Sequence, residues 1–156
     1  MAKLDELDRS IIELLNLDAR MPSALIARQL GKAERTVHNR ILRLINTDVI
    51  HPVAIVNPAA FGYTLAVDIF CELEVGYQDQ AADVLQDMPE VTYVAISTGD
   101  QDISIQAIFK DGDEINDFIT HKLPRVPGIR RTRTVLIPRI VKDTYRWLPP
   151  PDSFSS

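Results

Sequence analysis

An α+β protein in two parts is predicted: an N-terminal (winged) helix-turn-helix domain followed by a C-terminal ferredoxin-like βαββαβ domain. Three observations predict it. Three short amphipathic helical patterns crowd the first 50 residues, with a glycine turn between the second and third. Strict alternation of apolar and polar residues from Leu65 opens a series read as strand, helix, strand, strand, helix, strand. The charge is divided too. Residues 1–50 carry 8 Lys+Arg against 7 Asp+Glu, net +1, whereas residues 51–156 carry 9 against 15, net -6, so the negative balance of the chain, -5 in all, lies in the second part.

Asp5 is a plausible N-cap for the first helix, because Leu7, Ile11, Leu14 and Leu15 then fall on one face. Pro22 and Ser23 supply a turn and cap for a short second helix, with Leu25, Ile26 and Leu30 inward and Gly31 placed to end it. The third helix is expected over 34–46, its stripe made of Val37, Ile41, Leu44 and Ile45. Val49–Val56 is apolar but holds Pro52, so it reads as an edge strand or an extended linker. Leu65–Val75 puts Leu65, Val67, Ile69, Cys71, Leu73 and Val75 on one face of a strand, and Asp68, Glu72 and Glu74 on the other. A helix over 79–88, strands over 91–97 and 103–109, a helix over 113–123 and a last strand over 129–141 complete the pattern. Two helices cover one face of such a sheet. Phe70, Ile108 and Leu136 are expected on the other, which favours self-association. The limits expected are 1–50 for the helix-turn-helix, 51–62 for a linker strand or hinge, 63–145 for the ferredoxin-like domain and 146–156 for an extended, frayed tail. Trp147 is expected to anchor that tail.

The third helix carries the chemistry. Between Arg20 and Leu44 lie Arg20, Arg28, Lys32, Arg35, Arg40 and Arg43 against Glu34 alone, a local charge of +5 suited to phosphates. Arg35, Asn39 and Arg43 point away from the apolar stripe, Thr36 and Arg40 flank one side, and His38 flanks the other. Arginine can fork onto guanine, asparagine can pair with adenine, and threonine can reach phosphate or a thymine methyl group. Arg35, Thr36, His38, Asn39, Arg40 and Arg43 are therefore the candidate contacts to double-stranded DNA; a solvated surface helix would carry similar residues.

Other chemistry finds little support in the sequence. Cys71 falls on the apolar strand face and reads as a packing residue. His38, His51 and His121 are too dispersed to suggest a metal site, no catalytic cluster stands out, and no cofactor is expected. Arg130, Arg131 and Arg133 read as partners of acids or as solvent-facing. No apolar run is long enough for a membrane span, and with one cysteine a reducing, cytoplasmic setting is expected.

In this order the residues resemble the Lrp/AsnC family of transcription regulators. The likeness runs through 4–15 (LDELDRSIIELL), 18–21 (DARM), 25–31 (LIARQLG) and 40–44 (RILRL) with Val49 and Ile50, then 89–91 (PEV), 98–102 (TGDQD) and 126–134 (VPGIRRTRT). The resemblance implies a DNA-binding regulator rather than an enzyme. It would form homodimers through its C-terminal sheets, assemble further into even oligomers such as octamers, and respond to a small-molecule effector, commonly an amino acid. It places the effector at Gly99, Asp100, Gln101 and Asp102, with Thr132 or Thr134 on the ligand carboxylate. The chain departs from the family pattern at Lys32 and Ala33, where a Leu-Ser pair is usual, at Asp48, where glycine is usual, and at Gln101, where an aromatic is usual. Two alternatives share the layout: a siroheme-decarboxylase-like enzyme subunit, and a ligand-binding or interaction module whose DNA binding is vestigial.

Overall fold

Two acidic residues start the fold. In the computed structural model, which describes residues 4–142 and 147–154, helix α1 (Glu6–Leu17) begins with a reciprocal cap. The Asp8 amide donates to Asp5 Oδ1 and the Asp5 amide donates to Asp8 Oδ2, both at 3.0 Å. Helix α2 (Ser23–Leu30) ends at Gly31, whose left-handed φ of 62° is cheap only for glycine. Pro22 sits at its N-cap, so Ser23 is the first helical residue, and its hydroxyl reaches Glu34 Oε1 at 3.4 Å instead of capping the helix. Helix α3 (Glu34–Asn46) starts without a side-chain cap, because Ala33 has none to offer. Ile11, Ile12, Ile26, Ala27, Val37 and Leu44 form the core between these helices.

Asp48 takes a left-handed conformation, with φ 61°. Its exposed ion pair with His51, at 3.3 Å, contributes little in return. Asp48→Gly should therefore raise the stability of this unit by about 0.5 to 1 kcal/mol, read as a higher urea midpoint at unchanged slope.

Residues 51–57 form no strand, and this segment is an extended connection, the second of the two readings its proline allowed. Pro52 cannot donate to a ladder, and Val53, Ile55 and Val56 remain exposed. The chain divides into two compact units, 1–55 with 141–156 and 56–140. Both chain ends thus build the first unit. The expected frayed tail is instead docked: a 3-10 turn, Pro151–Ser153, delivers Phe154 into the helical core, and Leu148 packs against the same cluster. The Asn16 side-chain Nδ2 donates to the Trp147 carbonyl at 3.4 Å, while the indole is mostly exposed. Two apolar side chains and a run of prolines, which lose little backbone freedom, suffice to hold such a segment. Ser155 and Ser156, also part of the expected frayed end, lie outside the described residues.

The second unit is the predicted ferredoxin-like sandwich. Strands β1 (Leu65–Leu73), β2 (Val91–Ile96), β3 (Ile103–Phe109) and β4 (Ile129–Ile137) form one antiparallel sheet in the order β2-β3-β1-β4. Val67, Ile69, Cys71 and Leu73 point to one face, where Ala81 and Leu85 of helix α4 (Gln78–Gln86) and Phe118 meet them in a single core. The second helix is not continuous over 113–123. Helix α5 (Gly112–Asp117) opens into a wide π turn at Phe118–Lys122 and then a 3-10 turn at Leu123–Arg125. Pro124 cannot donate the next helical bond, and the altered winding lets Phe118 and Leu123 both bury. Phe118 stands edge-on to Phe109, ring centroids 5.3 Å apart.

Register corrects one surface assignment. Leu136 lies opposite Val67, on the helix-covered side, while Val135 lies opposite Asp68 on the bare side with Phe70 and Ile108. The last strand also stops at Ile137, because Pro138 follows.

Candidate nucleic-acid interface

Helix α3 turns Val37 and Leu44 inward, which leaves Arg35, Leu42, Asn39 and Asn46 along the opposite side, all exposed. The six donors named from sequence separate into three groups. Arg35, Thr36 and Asn39 are exposed and directed outward. His38 is exposed but lines a groove of about 750 Å³ with Ile12, Leu15, Ile41 and Ile45. Arg40 and Arg43 are engaged by carboxylates from α1.

That engagement is dense. Arg40 Nη1 donates to Asp5 Oδ2 at 2.7 Å and to both oxygens of Asp8, at 3.1 and 3.0 Å, and Arg43 Nη2 donates to Asp8 Oδ2. Asp8 is fully buried, and its Oδ2 accepts from the Asp5 amide, Arg40 and Arg43 together. A buried carboxylate requires this much compensation. Burial pushes the Asp5 pKa up, but the Asp8 amide and the Arg40 guanidinium outweigh it and hold the group below the usual carboxylate range. Hydrogen bonds to Asp5 and Asp8 raise the Arg40 pKa in turn.

Among the described residues, Arg28, Lys32 and Arg35 have no carboxylate partner, and all three are exposed. Leu42, 44% exposed, and Asn46 join the outer face although residue type alone passes over Leu42; their positions on the helical wheel are the signal. An apolar side chain amid donors suits a thymine methyl group.

The second predicted site lies in the other unit. Asp102 is tied into the fold: its carboxylate accepts from the Leu73 amide at 2.7 Å and from the Gln78 side chain at 3.3 Å, and its amide donates to the Cys71 carbonyl at 2.9 Å. Thr132 is the β4 partner of Cys71 on the far side, and Thr134 is the partner of Ile69. Asp102 and Thr132 thus bracket one strand, their backbones about 10 Å apart at two strand spacings. Gly99 and Asp100 are exposed at the tip, and the Gln101 carbonyl accepts from the Ser97 hydroxyl at 3.2 Å.

The remaining sequence candidates have local structural partners or none. Burial pushes the Cys71 thiol up to about 11, which disfavours the thiolate. Arg133 lies over the Phe70 ring at 4.6 Å, and Arg131 approaches Glu72 at 3.7 Å. No group of His, Cys, Asp and Glu among the described residues has metal-binding geometry, and none of the described helices is long and apolar enough to cross a membrane.

Comparison with known proteins agrees with this architecture. Residues 4–45 match the AsnC-type helix-turn-helix domain, and residues 67–147 match the Lrp/AsnC ligand binding domain. The chain is 34% identical over 142 residues to the HTH-type transcriptional regulator FL11 of Pyrococcus furiosus, covering 90% of this chain and 93% of that one. It is 36% identical over 144 residues to an uncharacterized HTH-type transcriptional regulator of Pyrococcus abyssi, covering 92% and 91%. Among solved structures, Escherichia coli AsnC superposes with a TM-score of 0.85 at 26% identity, over 91% of this chain and 97% of that chain. A Neisseria meningitidis transcriptional regulator in complex with L-Met shares the fold at a TM-score of 0.84 and 19% identity, over 90% and 94%. With both halves matched in order and across nearly the whole length, this chain belongs to the Lrp/AsnC family of DNA-binding transcriptional regulators with a ligand-binding domain.

Proposed function

We propose that this regulator reads specific duplex DNA through the outer face of α3 and that a small molecule bound by the second unit modulates it. Arg35, in the first turn of α3, is placed to reach base edges, since the N-terminal part of a recognition helix enters the major groove. Asn39 and Leu42 follow along the groove with Thr36 and Asn46 at its walls, while Arg28 and Lys32 meet phosphates. His38, Arg40 and Arg43 are left out of direct contact in this proposal, His38 because it flanks the groove between helices and the arginines because they are ion-paired. The single observation that carries it is that Arg35 and Asn39 stand free on one exposed face while the neighbouring arginines are held back. A homodimer would set two such helices about 34 to 36 Å apart on a pseudo-palindromic site.

The effector would lie against the 99–102 loop with Thr132 and Thr134, and its class would be an amino acid, which the L-Met complex of a protein of the same fold favours. Asp100 rather than Asp102 would meet the ligand ammonium, because the Asp102 oxygens already accept from Leu73 and Gln78.

One titration tests both halves. Fluorescence anisotropy on duplexes selected from a random pool should show Arg35→Ala weakening binding by about 1 to 3 kcal/mol, with relaxed preference at one base position. Repeating it with L-Met and other amino acids should shift the midpoint for at least one of them. Unchanged binding by both Arg35→Ala and Asn39→Ala rejects this face, and indifference to every amino acid rejects the ligand class.

A further inference from the structure

Two arginines with high intrinsic affinity for phosphate lie beside a DNA-facing surface and yet are spoken for. On the helical wheel Arg43 lies only about 40° from Asn39, at the border of that face. Its side chain is 38% exposed, and that of Arg40 is 29% exposed. Neither arginine finds its partner on its own helix. Both converge on Asp8, the third residue of α1, more than 30 positions away in sequence, and Asp5 closes the cluster. Counting Asp5, Asp8 and Asp18 against Arg40, Arg43 and Arg20 lowers the nominal +5 of residues 20–44 to +2, carried by Arg28, Lys32 and Arg35 against Glu34.

The number of cations free to neutralise phosphates sets sequence-independent affinity for DNA, whereas discrimination is a ratio between the right and the wrong sequence. A loose arginine at the edge of the reading face would strengthen non-specific complexes, which are free to settle wherever it meets a phosphate, more than the specific complex, whose register the base contacts fix, and so would lower that ratio. The same carboxylate also ties the middle of α3 to the capped start of α1, which fixes how the helix presents Arg35 and Asn39.

We infer that Asp8 is a positioning and specificity-determining residue for DNA recognition: its buried carboxylate withholds Arg40 and Arg43 from the phosphate backbone and anchors α3 to α1. The inference rests on the proposal that the outer face of α3 is the DNA-facing surface. Asp8→Asn keeps the shape and the amide-to-oxygen cap but removes the charge, so Arg43 is released while Arg40 keeps Asp5.

The experiment is a salt titration of binding to a random-sequence duplex with the full-length protein, each variant first checked for native helix content by circular dichroism. For Asp8→Asn the plot of log affinity against log salt should steepen by about 0.9 for the one arginine freed, Arg43, and affinity for the random duplex should rise relative to a selected one. In the wild-type background, Arg43→Gln should leave the slope unchanged, whereas Lys32→Gln should reduce it by about 0.9. A purely structural role for Asp8 would lower the folded fraction without steepening the slope, so an unaltered slope in folded Asp8→Asn overturns the inference. So does an Arg43→Gln slope reduced as much as that of Lys32→Gln. That second arm decides the matter if Asp8→Asn does not fold. A wild-type protein that binds duplex DNA without any salt dependence would instead overturn the reading of the α3 face itself.

Discussion

Gly128→Ala is expected to destabilise the ferredoxin-like unit by about 3 kcal/mol or more. Two separate causes add. Gly128 has φ 77°, a left-handed conformation that costs a residue with a Cβ about 1 to 2 kcal/mol. An added Cβ would also sit 2.3 Å from Tyr77 Cβ and 2.5 Å from Tyr77 Cγ, closer than any real contact. Tyr77 is the N-cap of α4 and Gly128 precedes β4, so relief requires shifting one backbone against the other. The Glu74 amide donates to the Gly128 carbonyl at 2.8 Å and resists that shift. A double-mutant cycle separates the causes: in a Tyr77→Gly background the clash with Cβ and the ring is gone, and Gly128→Ala should then cost only about 1 to 2 kcal/mol. Equal costs in the two backgrounds would mean that the close approach to Tyr77 is unimportant. The measurement is urea unfolding followed by far-UV circular dichroism.

Asp8→Ala should cost the helical unit about 3 kcal/mol, because it removes one of the two bonds of the reciprocal cap and leaves two partly buried guanidinium groups short of a counter-charge. Arg40 retains Asp5, which limits the loss. Trp147 is the only tryptophan and belongs to this unit, so its fluorescence reports the transition separately. A change below about 0.5 kcal/mol, the size usual for surface pairs, would show the cluster to be energetically incidental. The cluster also sets an acid limit. Because the Asp5 pKa is depressed in the folded chain, its contribution is present above the usual carboxylate range, near pH 4, and is lost as the pH falls through the lower folded value. In the Arg40→Gln variant Asp5 loses its counter-charge, and acid unfolding should begin at higher pH. The raised Arg40 pKa acts in the alkaline direction, where its stability is lost only above the usual arginine range.

How far the sequence reaches can be seen residue by residue. Periodicity was enough for the helices and the sheet: Val37 and Leu44 at helical spacing and Val67, Ile69 and Cys71 at alternate positions are buried where the pattern places them. Caps and turns were equally legible at Asp5 and Gly31, because the interactions involved span four residues or fewer. Asp48 was less legible: the loss of the usual glycine put a left-handed turn there in doubt, and the residue takes one nonetheless, with φ 61°. Arginine at the surface of a helix, by contrast, looks the same in sequence whether it faces DNA or a distant carboxylate. Nothing in the residues 40–44 indicates that Asp8 lies against them.

The amino-acid order alone therefore determined the two-part architecture, the helix-turn-helix, the split βαβ pattern and the outward position of Arg35 and Asn39, since all of these follow from local periodicity and short-range hydrogen bonds. Tertiary structure alone decided that Arg40 and Arg43 are ion-paired, that Asp102 caps a neighbouring strand, that Gly128 must be glycine because of Tyr77, and that Phe154 returns to the helical core. Each of those joins residues more than 25 positions apart, and such pairings are set by which faces the packed elements bring together, a quantity that no local pattern of residues encodes.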